Sequence, residues 1–344
     1  MLNGKSILIT GGTGSFGKKL TQTVLENYTP RQLIIFSRDE LKQFEMAQQW
    51  SIQKYPCLRY LLGDVRDRDR LLRAFHGVDY VVHAAALKQV PAAENNPGEF
   101  IKTNIIGAMN IIDAALFNKV KKVVALSTDK ASNPINLYGA TKLCSDKLFT
   151  AANVYSGSAD GTIFSVVRYG NVLGSRGSVI PFFKERTSKG VLPITDSRMT
   201  RFWITLGQSV HFVLHAMQLA KGGEIFVPRI PSMKITDLAT AIGPDCKQEI
   251  IGIRPGEKLH ESMISQDDAH NTIAFKDCYV IQADGEKRLQ LMEGAGEPCP
   301  DGFEYTSKNN DQWMGVDELC ELIEQIADDY TIEKSRWSMY DIPV

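Results

Sequence analysis

The sequence predicts an α/β fold: a doubly wound parallel sheet covered by helices on both faces, with a smaller, discontinuous α/β lobe. Three observations predict it. Short apolar runs alternate with segments of helical period as far as residue 168. A glycine-rich turn joins the first run to the first helix. Past Tyr169 the alternation weakens into glycine- and serine-rich loops, short strands and proline-marked turns.

In chain order, Ser6–Thr10 is the first strand, its apolar run ending in Gly11-Gly12-Thr13-Gly14-Ser15-Phe16-Gly17 before a helix that runs to Asn27. Residues 33–36 and 59–62 supply strands two and three, and Tyr80–His83 the fourth, followed by the small-residue turn Ala84-Ala85-Ala86. Residues 104–117 have helical periodicity, Lys122–Leu126 is the fifth strand and Ile163–Val167 the sixth. Residues 201–220 return a strand and a helix to the first domain, and 235–241 form a short helix in the lobe. The expected division is 1–168 for the nucleotide-binding domain with 201–221 rejoining it. Residues 169–200 and 222–344 then form a ligand-closing lobe and a C-terminal extension.

The 344 residues suffice for one such domain with a companion. With 39 basic and 40 acidic side chains, the charge nearly cancels and argues against a broad nucleic-acid footprint. Met1-Leu2-Asn3-Gly4-Lys5 leads straight into a strand, and runs such as 123–126 are too short to span a bilayer. The expectation is a cytoplasmic protein without membrane insertion. Cysteines 57, 144, 246, 278, 299 and 320 form no CxxC or Cys/His cluster and read as free thiols, with Cys144 packed on its helix. No His/Asp/Glu spacing makes a metal site, His83 included, so metal-free chemistry is expected.

Gly11, Gly14 and Gly17 form GxxGxxG between a strand and a helix, a Rossmann-like dinucleotide turn. Glycines let backbone N–H groups and the helix N-terminus approach a pyrophosphate, with Thr13, Ser15 and Phe16 completing the turn. The second strand ends in Ser37-Arg38 rather than an acidic residue, and Lys42 lies one helical turn on. Hydroxyl and cationic donors there point to NADP, with a 2′-phosphate, over NAD; Asp39, one position late, reads as a helix cap. Asp64-Val65 ends the third strand, where Asp64 is either an adenine contact or a loop-bonding carboxylate. Ala84, Ala85 and Ala86 allow close approach to the cofactor, and Lys88 reads as a phosphate or substrate contact, or as a solvent-facing lysine.

The reactive candidates follow the fifth strand: Ser127-Thr128-Asp129-Lys130, then Tyr138 and Lys142 four residues apart on one helical face. A lysine beside a tyrosine favours phenolate and serves a hydride-transfer site. Asp129 and Lys130 add an acid and a base, which a simple alcohol dehydrogenase does not need. Thr128 can orient a substrate hydroxyl.

These residues and the glycine turn resemble the extended short-chain dehydrogenase/reductase family. The likeness sharpens with Ser37-Arg38-Asp39-Glu40, His83-Ala84-Ala85-Ala86-Leu87-Lys88, Ser127-Thr128-Asp129-Lys130-Ala131, Asn133-Pro134 and Tyr138-Gly139-Ala140-Thr141-Lys142. With Tyr169-Gly170-Asn171-Val172, Arg201-Phe202-Trp203 and Arg254-Pro255-Gly256-Glu257-Lys258-Leu259-His260-Glu261, the chain resembles the soluble inverting UDP-N-acetylglucosamine 4,6-dehydratases. The resemblance implies tightly bound, recycled NADP(H), UDP-N-acetylglucosamine as substrate, and a homo-oligomer from dimer to hexamer. It implies Tyr138 as base at the 4-hydroxyl, Lys130 as base at carbon 5 and Asp129 as acid for the leaving 6-hydroxyl. It also puts Lys88, Thr128, Tyr169, Asn171, Arg201, Arg254 and Glu257 around the nucleotide sugar. Retaining relatives commonly carry glutamate where Lys130 stands; larger membrane-anchored ones often carry methionine where Tyr138 stands. The implied pathway is pseudaminic acid synthesis for surface or flagellin glycosylation.

Overall fold

The computed structural model describes residues 1–156, 161–174, 179–282 and 296–335. Two compact units emerge: 1–169, 207–229 and 262–305 form the first, and 170–206, 230–261 and the chain from 306 onward the second. Chain order through the first long segment is β1 (Ser6–Thr10), α1 (Ser15–Asn27), β2 (Gln32–Ser37), α2 (Glu40–Gln49), β3 (Leu58–Leu62), α3 (Arg68–Ala74) and β4 (Tyr80–His83). Next come α4 (Val90–Asn95), α5 (Pro97–Phe100), a π-helical turn (Ile101–Ile106), α6 (Gly107–Phe117), β5 (Lys122–Leu126), α7 (Leu137–Ala151) and β6 (Ile163–Val167). The chain continues with β7 (Asn171–Val172), α8 (Val179–Arg186), β8 (Val191–Ile194), β9 (Thr200–Ile204), α9 (Leu206–Leu219) and β10 (Ile225–Pro228). It then forms β11 (Ser232–Lys234), α10 (Ile235–Ile242), β12 (Lys247–Ile250), β13 (Ser262–Ile264), β14 (Thr272–Ala274), β15 (Cys278–Ile281), β16 (Glu297–Pro298), β17 (Tyr305–Thr306) and α11 (Val316–Ser335).

Among the described residues the first unit carries a ten-stranded sheet ordered β16-β14-β15-β10-β6-β5-β4-β1-β2-β3. The strands from β3 to β10 pair in parallel, and β15, β14 and β16 add antiparallel partners. All five β1 residues are buried, as a parallel strand covered on both faces requires. Because β1 lies between β2 and β4, the winding reverses there, and Thr10 pairs with both Phe36 and His83. The carboxyl ends at such a reversal are where this architecture binds ligands. The second unit has a β11-β9-β7 sheet and a β12-β8 pair, over a core that includes Leu173, Phe183, Trp203, Met233, Leu238 and Leu319.

Several boundaries differ from those read in the sequence. Strand β9 stays in the second unit, while 207–229 returns to the first. Residues 225–228, 272–274 and 278–281, assigned by sequence to the lobe, extend the main sheet instead. The helix expected from 104 begins earlier, and Pro97–Phe117 is one continuous helical stretch, long and apolar enough to cross a membrane. More than half of it is buried within the protein, and Asn110 on it donates to the Val65 and Arg66 carbonyls at 3.0 and 3.1 Å. Those bonds are those of a core helix. All six cysteines are free, and Cys144 is exposed rather than packed.

Candidate active site

The glycine turn has little room for side chains. Gly11 sits at φ +65°, and a Cβ there would lie 2.9 Å from the Ala85 backbone; a Cβ on Gly17 would lie 2.5 Å from Gly12 Cα. The missing side chain at Gly11 is therefore what lets the turn close on the backbone of residues 84 and 85 after β4. Helix α1 starts at Ser15 with Gly14 as its N-cap, no side-chain cap and no acid in its first turn. Thr13 is buried, Ser15 and Phe16 half-buried. Together these form a cradle in which the dipole and the backbone N–H groups of the helix N-terminus can meet a pyrophosphate, so the residues fit a dinucleotide.

Beneath it, Thr10 Oγ1 and His83 Nδ1 are 2.8 Å apart, and the Ala85 N–H donates to the same hydroxyl at 3.3 Å. Burial, aided by the Lys142 charge, depresses the His83 imidazole to about 3. His83 is therefore a neutral structural residue, and no metal-binding cluster occurs among the described residues.

At the end of β2, Ser37 is buried, and the Gln43 amide donates to its hydroxyl at 3.0 Å. Arg38 is more than half exposed, its guanidinium 3.8 Å from Asp64. Asp39 caps α2 through the Lys42 N–H at 3.0 Å and pairs with Lys42 Nζ at 2.6 Å. Asp64 makes loop bonds: Arg66 donates to it from its backbone at 2.9 Å and from its side chain at 3.1 and 2.8 Å. Burial pushes that carboxyl up, but the Arg66 bonds win and hold it low. Val65 is buried, its carbonyl held by Asn110. Ala86 and Lys88 are exposed.

The reactive run is fastened by backbone bonds to the end of β6: Ser127 N–H to the Val167 carbonyl at 2.7 Å, Asp129 N–H to that of Tyr169 at 3.1 Å. Thr128 caps the short 3₁₀ turn Asp129–Ala131. Asp129 is fully buried, and its Oδ1 accepts from both Thr128 Oγ1 at 2.9 Å and Lys130 Nζ at 3.0 Å. Asn136 caps α7 through the Gly139 N–H at 2.8 Å. Gly139 lies against the Lys130 carbonyl with no space for a side chain, which lets α7 bring Tyr138 to this turn.

Burial pushes the Tyr138 phenol up to about 12, against the Lys130 charge and a Thr128 hydrogen bond that pull it down. Burial lowers the Lys142 ammonium, and Asp146 one turn on opposes the shift. Lys142 Nζ donates to the Leu126 carbonyl at 2.7 Å. Tyr169 is buried and its phenol raised by burial, then by Tyr138. Thr128, Asp129, Lys130 and Tyr138 thus come together at this turn, and Lys142 reaches the end of β5 beside it.

In the second unit Asn171 is half-buried and pairs with Trp203. Arg201 is buried and donates to the carbonyls of Thr200, Leu259 and Lys258 at 2.7, 3.2 and 3.0 Å, beside Glu257 and Glu261. Its guanidinium serves the lobe's own structure. Arg254 is two-thirds exposed and meets Glu257 in a fork at 3.1 and 3.2 Å, the geometry with which it could grip a diphosphate.

Sequence reading missed three buried polar residues. Asn104 bonds both backbone groups of Leu87 at 2.9 Å and Thr141 Oγ1 at 3.0 Å, tying the 84–89 loop to α7. Arg168 pairs with Asp146 at 3.2 Å, both nearly inaccessible. Gln43 was the third. Polar residues at helical or strand positions carry no sequence signal that distinguishes them from solvated ones.

The family model for polysaccharide biosynthesis proteins matches residues 7–283. The chain is 58% identical over 332 residues to an inverting UDP-N-acetylglucosamine 4,6-dehydratase of Campylobacter jejuni, covering 94% of this chain and 98% of that one. It is 41% identical over 339 residues to a UDP-glucose 4-epimerase of Rickettsia canadensis, covering 93% and 95%. The structure of Pen from Bacillus thuringiensis matches with a TM-score of 0.86 and 37% identity, over 95% of this chain and 99% of that one. The chain belongs to the polysaccharide biosynthesis protein family, on the short-chain dehydrogenase/reductase frame.

Proposed function

We propose that this protein is an inverting UDP-N-acetylglucosamine 4,6-dehydratase that retains and recycles NADP(H). One observation carries the reading: a buried carboxylate and an amine, Asp129 and Lys130, share a 3.0 Å hydrogen bond at the strand end that holds Tyr138. Epimerisation at carbon 4 needs the tyrosine but no acid for a leaving hydroxyl. The pair therefore favours dehydration over the activity named for the rickettsial relative, and the Campylobacter relative supports the same choice.

When bound, the cofactor supplies a hydride acceptor for carbon 4 and later a donor for carbon 6. Gly11 to Gly17 hold its pyrophosphate, and Ser37, Arg38 and Lys42 its 2′-phosphate. Thr128 orients the sugar 4-hydroxyl, and Tyr138 takes its proton as the phenolate, the form that the Lys130 charge and the Thr128 hydrogen bond favour against burial. The resulting 4-ketone makes the carbon 5 proton acidic. One proton passed from Lys130 Nζ to Asp129 Oδ1 leaves a neutral amine and a carboxylic acid, which burial favours over two charges. Lys130 then removes the carbon 5 proton while Asp129 protonates the departing 6-hydroxyl, regenerating the ion pair. With hydride returned to carbon 6, a solvent-derived proton added to carbon 5 from the opposite face gives UDP-2-acetamido-2,6-dideoxy-β-L-arabino-hexos-4-ulose. Each such transfer contributes about 10²–10⁴-fold.

Lys88, Tyr169, Asn171 and Arg254, the last held by Glu257, are the proposed nucleotide-sugar contacts. The family resemblance supports a cytoplasmic homo-oligomer at the first step of pseudaminic acid synthesis for surface or flagellin glycosylation. Lys130→Ala tests the reading: the variant is expected to fold and keep its cofactor while losing dehydration by about 10²-fold or more. Near-normal turnover excludes Lys130 as the base.

A further inference from the structure

We propose that Gln43 sets the cofactor preference by aiming the Ser37 hydroxyl at the 2′-phosphate; the inference rests on the NADP reading above. Gln43 and Ser37 are 6% and 7% exposed. Gln43 Nε2 lies 2.9 Å from the Leu61 carbonyl, 3.1 Å from the Ser37 carbonyl and 3.0 Å from Ser37 Oγ. Carbonyls only accept, so the two of them fix the amide with its NH₂ toward the ends of β2 and β3. Facing that NH₂, Ser37 Oγ accepts, and its own O–H is turned elsewhere. Ser37 is the last residue of β2, where a dinucleotide's adenosine ribose falls in this fold. A donor held there in one direction suits a phosphate oxygen and gives a ribose hydroxyl much less.

The two cations nearby cannot supply this direction. Arg38 and Lys42 have side chains 57% and 43% exposed, and Lys42 is engaged by Asp39 at 2.6 Å. They attract the phosphate; the Gln43–Ser37 pair fixes a bond to it.

The test exchanges the bound cofactor of the purified protein in an equimolar mixture of NADP⁺ and NAD⁺, removes free nucleotide, and quantifies what is released by chromatography. The wild type is expected to hold mainly NADP. Gln43→Met and Ser37→Ala should each lower the bound NADP:NAD ratio about tenfold, or about 1.4 kcal/mol. The double variant should fall no further than Ser37→Ala, because Gln43 acts through Ser37. The ratio is internal to each protein, so a general loss of stability does not move it. Gln43→Leu, which cannot donate and adds no charge, is expected to match Gln43→Met and stands in if that variant fails to fold. An unchanged ratio in the Gln43 variants, or additive losses of about a hundredfold in the double variant, overturns the inference alone. A wild type that prefers NAD overturns the NADP reading and this inference with it.

Discussion

Replacing Arg168 with methionine should damage both folding and turnover. The Arg168–Asp146 pair is buried, with side chains 3% and 2% exposed. Arg168 Nη1 also donates to the Met263 carbonyl at 2.9 Å. Methionine fills similar volume but leaves a buried Asp146 charge with the Ser127 hydroxyl at 2.8 Å, and strips the Met263 carbonyl of this donor. Breaking a buried pair in this way costs about 3–5 kcal/mol. In a unit of this size that corresponds to a fall in melting temperature of roughly 6–20 °C. Arg168 also lies between Val167 and Tyr169, whose carbonyls anchor Ser127 and Asp129, so turnover should fall as well. Thermal and urea unfolding of Arg168→Met and of Arg168→Met/Asp146→Asn measures this directly. Removing the carboxylate that has lost its arginine should recover about 1–2 kcal/mol in the double variant. A single variant within 1 kcal/mol of wild type, or a double variant less stable than the single, refutes the reasoning.

Three further outcomes are expected. His83 is buried and depressed to about 3 from an ordinary 6.5, so the unfolded chain binds the proton more readily. Its contribution is intact above pH 6.5 and is lost at about 1.4 kcal/mol per unit as pH falls toward 3; an NMR titration placing His83 near 6.5 contradicts this. Gly17→Ala forces a methyl into the Gly12 backbone and should yield protein that loses its cofactor on isolation at a cost of about 1–3 kcal/mol in stability; full cofactor retention, read by absorbance of the released nucleotide, counts against the cradle. Arg201→Ala should lower the melting temperature, whereas Arg254→Ala should leave it unchanged and raise KM for the UDP-sugar. The reverse pattern would mean that the buried and exposed arginines had been given each other's roles.

How much of this could be read in the sequence depended on whether a residue's role was local. Gly11 was legible because a turn at positive φ with no space for a Cβ leaves its mark in residue type, and Gly17 because the Gly12 backbone fills the place its Cβ would take. Tyr138 and Lys142 were legible through helical spacing, and Asp129-Lys130 through their place after β5. The edge of the main sheet was not: β10, β14 and β15 have three or four residues each, too short for period to betray a distant parallel or antiparallel partner. Nor were the partners of long polar side chains. Arg201 and Arg254 both belong to family motifs, yet one is spent on three backbone carbonyls and the other keeps its fork exposed. Gln43, Asn104 and Arg168 were silent for the same reason, since only the fold shows which polar groups it buries.

Lys130 and Asp129 are proposed to convert a transient oxidation into water elimination with inversion. Incubating the protein with UDP-N-acetylglucosamine in deuterated water, without added cofactor, and following the product by NMR tests it most directly. The expected product is a 6-deoxy-4-ketose carrying solvent deuterium at carbon 5 in the L-arabino configuration. A stable 4-keto product of D-xylo configuration, or a changed carbon 4 hydroxyl with carbon 6 intact, contradicts it.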